Sequence, residues 1–95
     1  MLIEITLPQT ALDKAILVFD GRVLEVFHTL WEGKTHRYHV ATLASVRIVT
    51  DPHGAHTLAL KARAGYHEQM TVEPAALPGA QKLVDEVQRA IMENL

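Results

Sequence analysis

The sequence predicts an α+β, mainly β domain: a small barrel of two packed antiparallel sheets, about seven strands in all, closed by one C-terminal amphipathic helix. Three observations carry this reading. Short β-like segments follow one another through the first three quarters of the chain. A Phe19-Asp20-Gly21-Arg22 turn opens the first clear hairpin. After Pro74 the hydrophobic period changes from two to nearly four.

Leu2 to Leu7 alternates apolar and polar residues, as a half-buried strand does, and Pro8-Gln9-Thr10 ends it. Ala15 to Phe19 is a near-continuous apolar run, the pattern of a buried strand. Asp20-Gly21 favours a type I′ turn, whose two central residues both take positive φ. Val23 to Trp31 is its partner strand, and a second turn falls at Glu32-Gly33-Lys34. Thr35 to Val40 follows, then a short connection through Ala44, then Val46 to Thr50. Asp51-Pro52-His53-Gly54 is a turn, because Pro presets φ and Gly permits the left-handed region. Thr57 to Arg63 and His67 to Glu73 alternate on either side of Ala64-Gly65.

Leu83, Val87, Ile91 and Leu95 then recur every four residues, with Ala80, Val84 and Ala90 beside them. Pro78 suits a first helical turn, so the helix is expected over about 78–94. Lys82/Glu86 and Asp85/Arg89 are expected i,i+4 ion pairs on the wet face. The apolar stripe has to bury against the sheets.

A chain of 95 residues fits a single domain, 1–95, with strands within 2–73. Hydrophobic residues at 48% suffice for one core. The chain has no cysteine, which excludes disulfides and thiolate metal sites. A net charge of −2 argues against nucleic acid, which demands a basic excess, and disfavours membrane association. No apolar stretch reaches membrane-spanning length and the N-terminal run is too short for a signal peptide, so a cytoplasmic location is expected.

Val18-Phe19-Asp20-Gly21, then Val23, Val26 and His28, then Arg37-Tyr38-His39-Val40-Ala41-Thr42-Leu43-Ala44-Ser45-Val46, resembles the bacterial pleckstrin-homology-like (PH-like) domains. Leu58-Ala59-Leu60, Met70-Thr71-Val72 and the terminal helix fit the same layout, and the chain is similar to an actinobacterial PH-like family of unknown function. The resemblance covers nearly the whole chain and rests on structural motifs. It implies a non-enzymatic module that self-associates or docks a protein segment, with itself or another protein as partner, through shape and the exposed edges of strands. Trp31, Tyr38 and the turn after the fourth strand are the expected contact points. The alternative is a small anionic ligand or lipid head group at the barrel loops, held by Lys14, Lys34 and Arg63.

Six histidines are the compositional oddity. His28 and His39 are expected to share a face of one hairpin as cross-strand neighbours, with Phe27, Trp31 and Tyr38 on the opposite face and Phe27 in the core. Protonating all six would add six positive charges to the net −2, which motivates a pH-switch reading. Asp51, His53 and His56 are the candidate metal ligands, on imidazole and carboxylate chemistry alone. No cofactor is expected. No catalytic residue emerges either: Ser45 is the one serine, the glycines are isolated, and the acidic residues are dispersed along the chain.

Overall fold

The computed structural model describes residues 2–30 and 35–95. Trp31 and Lys34, and the turn expected at Gly33, lie outside the described residues. Among these, β1 (Ile3–Pro8), β2 (Lys14–Phe19), β3 (Val23–His28) and β4 (Thr35–His39) form one antiparallel sheet in sequence order. β5 (Leu43–Thr50), β6 (His56–Ala62) and β7 (His67–Val72) form a second, and α1 (Leu77–Glu93) follows. The expected strands and helix are all present.

The expected barrel is not. Among the described residues no strand of one sheet pairs with a strand of the other, so neither sheet closes. Two local causes are visible. The chain leaves β4 through a 3-10 turn, Val40–Thr42, which breaks the ladder before β5 begins. At the other seam β1 ends on Pro8, which has no N–H to donate, and a side chain takes over from the backbone. The Gln9 carboxamide donates to the Thr71 carbonyl at 2.9 Å and accepts the Thr71 N–H at 2.8 Å, imitating one rung of a strand pair.

The Asp20-Gly21 turn also differs from expectation. Among the described residues no non-glycine takes positive φ, so Asp20 does not, and the turn is not type I′. Gly21 alone takes φ of 101°, while one Asp20 carboxylate oxygen accepts the Arg22 and Val23 N–H groups at 2.8 Å each. These bonds hold the Asp20 carboxyl below its ordinary value. β3 stops at His28; beyond it the Thr29 N–H still bonds the Lys14 carbonyl, and side chains take over the other bonds: Thr29 Oγ1 accepts the Lys14 N–H and Asp13 Oδ1 accepts the Leu30 N–H. β5 starts earlier than expected, and a register shift between Leu43 and Ser45 lets Leu43 and Val46 both face inward.

One core joins the three layers. Leu17, Phe19, Leu24 and Val26 enter from the first sheet, Val46, Leu58, Leu60 and Met70 from the second, and Ala80, Leu83, Val87 and Ile91 from α1. The stripe ends at Ile91: Leu95 lies past the helix end, 77% exposed. On the wet face Arg89 pairs with Glu86 at i,i+3 and Gln81 donates to Asp85, in place of the expected i,i+4 ion pairs. α1 also guards the second sheet, because Gln88 Oε1 accepts the β5 N–H of Val46 at 3.2 Å. Both outer strands of that sheet are thus capped at one point by a glutamine, which weakens the case for strand addition there. No helix among the described residues is long and apolar enough to cross a membrane.

Candidate functional site

Register decides where each side chain of the first sheet points. Ala15 opposes His28, Leu24 opposes Tyr38, and Val26 opposes His36. His28, His36 and Tyr38 therefore share the inner face with the core. His39 opposes Val23 on the outer face, so His28 and His39 are not neighbours, and Phe27 and Tyr38 lie on opposite faces. The expected assignment was shifted by one residue on β3, and in a strand one residue inverts the face. Tyr38 is buried rather than presented to a partner.

The inward polar groups converge on β7. Glu68 opposes Leu60 and points into the seam between the sheets. Its carboxylate accepts the Tyr38 hydroxyl at 2.7 Å and faces His28 Nε2 at 3.2 Å and His36 Nδ1 at 3.1 Å. The other His28 nitrogen, Nδ1, lies 3.4 Å from Asp13 Oδ2. A neutral imidazole donates to one of these carboxylates, and a ring protonated on both nitrogens donates to both. Ala15, wholly buried and opposite His28, leaves the space the ring occupies. Burial, and then the Glu68 carboxylate at its hydroxyl, push the Tyr38 ionisation far above its ordinary value. Tyr66 stacks on Tyr38 at 6.3 Å and meets His36 edge-on at 5.9 Å.

Two acids that stand 55 positions apart in the chain thus flank one histidine. Their dispersal along the sequence hid this pairing. One signal was legible: Glu68 sits in phase with Met70 and Val72, a carboxylate on the apolar side of an alternating strand. The cluster is saturated. Among the described residues no buried side-chain nitrogen or oxygen lacks a hydrogen-bond partner. It is a clasp between sheets.

The other expected sites are taken up by local structure. Arg63 donates its Nε–H to the Leu43 carbonyl and braces the start of β5, while Lys14 is exposed at the start of β2 in the other sheet. Asp51 Oδ1 accepts the His53 and Ala55 N–H groups, and His56 Nδ1 lies 2.8 Å from Thr50 Oγ1. Among the described residues no group of three His, Cys, Asp or Glu is placed to hold a metal ion. Between the Gly21 turn and the end of α1 lies an open groove of mixed charge, with Arg22 and Glu93 among its walls.

The surface that departs furthest from ordinary patterning is the outer face of the first sheet. An antiparallel sheet wet on one side is expected to be polar there. β2 and β3 instead turn Ile16, Val18, Val23 and Phe27 outward, all half-buried. None of the four belongs to the core or packs on it, Phe27 included, contrary to its expected place. Ile16 and Phe27 are cross-strand partners at the centre. Glu4 opposes Val18 on one side, and on the other Val18 faces Glu25, which interrupts the patch between Val23 and Phe27 and pairs with Arg37 at 3.7 Å. The near-continuous apolar run of β2 was the sequence signal for this face.

No protein-family model matches the chain, and no curated protein matches it.

Proposed function

We propose that the protein is a non-enzymatic, PH-like interaction module of the cytoplasm that self-associates through the outer face of its first sheet. The observation that carries this reading is the apolar stripe of Ile16, Val18, Val23 and Phe27, which stands outside the core. A strand apolar on both faces is the pattern of a strand buried on both faces. A second copy is the occupant that the charges favour. Glu4 flanks Val18 from β1, and Glu25, which stands within the patch between Val23 and Phe27, is paired with Arg37 on β4, so a two-fold pairing that sets the Ile16–Phe27 centre on its copy brings Glu4 toward Arg37. The strand order and terminal helix support the PH-like reading.

Light scattering over a concentration series tests it. A dimer mass that falls to the monomer on dilution is expected, and Phe27→Asp is expected to give a monomer at every concentration with its circular dichroism intact. A wild-type chain that stays monomeric at high concentration overturns self-association.

A further inference from the structure

We propose that the outer face of the second sheet is a binding site for a small phosphate-bearing molecule. The register sets three strands' side chains in rows. Ser45, Lys61 and His67 stand side by side, and Arg47, Ala59 and Gln69 form the next row. These residues line one concavity of about 380 Å³, within the size range of small-ligand sites. Ala59, at the centre of the middle strand, has no more than a methyl group to fill its floor.

Among the described residues the charges of this face have no partner. Among the described residues, no side-chain hydrogen bond or ion pair engages Arg47, Lys61, His67, Ser45 or Gln69. No carboxylate lies among the residues that line the concavity. Arg47 stands opposite Ala59, and Lys61 lies two residues along from it, so the two cations are diagonal neighbours across the strands. Like charges so placed repel, and an anion between them reverses the sign of that interaction.

The donor set selects phosphate over carboxylate. Arg47 brings a planar fork, Lys61 a point charge, Ser45 a hydroxyl and Gln69 an amide, with His67 beside Lys61. A carboxylate has two oxygens to offer these groups, and a phosphomonoester has three terminal ones. The basic patch is confined to one concavity on a chain of net charge −2, whereas a polyanion such as nucleic acid is held by many phosphate contacts.

Amide chemical shifts of the full chain, titrated with inorganic phosphate, phenyl phosphate and acetate at matched ionic strength, test the site. Saturable shifts at Ser45, Arg47, Ala59, Lys61 and His67 are expected for both phosphates, with acetate weaker by roughly tenfold. Arg47→Ala and Lys61→Gln are each expected to weaken phosphate binding by roughly tenfold at an unchanged melting temperature. The proposal is overturned if the shifts fail to saturate, if they spread equally to Lys14, Arg37 and Lys82, or if acetate binds as well as phosphate. Phosphatidylcholine vesicles containing phosphatidic acid separate the sources. If vesicles retain the protein while neither soluble phosphate shifts it, the small-molecule occupant is wrong.

Discussion

β7 presents two opposite solutions to the problem of charge. Its inward side carries Glu68, met by Tyr38, His28 and His36, with every buried polar atom matched among the described residues. Its outward side carries His67 and Gln69 to a face where, among the described residues, Arg47 and Lys61 have no counter-charge. The same strand, one residue out of phase, holds a saturated network and an unsaturated one. Saturated buried charge locks a fold, because removing any member strands the others. Unsaturated exposed charge contributes little to stability and is available to a ligand.

The sharpest way to break this contrast is Glu68→Ala. It leaves Tyr38, His28 and His36 without their shared acceptor, and a loss of about 3 kcal/mol is expected by denaturant unfolding. Gln9→Ala removes two bonds across the open seam, and about 1 kcal/mol is expected from the same measurement. Tyr38→Phe is expected to lose a similar amount, about 1 kcal/mol at neutral pH, and to change the alkaline behaviour. The Tyr38 hydroxyl ionises above its ordinary value of 10.0 when folded, so the folded chain keeps a proton that the unfolded chain releases. Its contribution is complete below that ordinary value and fades as pH rises past it. The phenylalanine variant is expected to show a flatter stability curve above pH 10. Smallest of all, Arg47→Ala and Lys61→Ala are expected to stay within about 0.5 kcal/mol of wild type. A large loss in either would mean that the outer cations hold the fold, and the contrast would collapse.

Much of the architecture was legible from pattern. Alternation located the strands and the four-residue period located α1, because burial imposes those periods directly. Closure was not legible. Whether two sheets join is decided by pairing between distant strands, and here by the proline that ends β1 and the carboxamide beside it. The clasp was harder still. Asp13, His28, His36 and Glu68 come from four separate segments, and placing His28 on the correct face required the exact register with β4 and β2. The apolar outer face was written plainly in Ala15 to Phe19; what pattern alone left open was whether another part of the same chain would cover it.

The Gln9 side chain has a kinetic consequence. It joins residues 62 positions apart with two hydrogen bonds from one half-buried carboxamide, whose Nε2 also reaches the Leu7 and Pro8 carbonyls. A rung of backbone in a sheet opens when the strand unfolds, whereas this rung opens when one side chain changes rotamer. The Thr71 amide is therefore expected to exchange its hydrogen far sooner than the amides that β7 shares with β6. Its exchange rate reports the opening of this one side-chain rung, an event that does not require global unfolding.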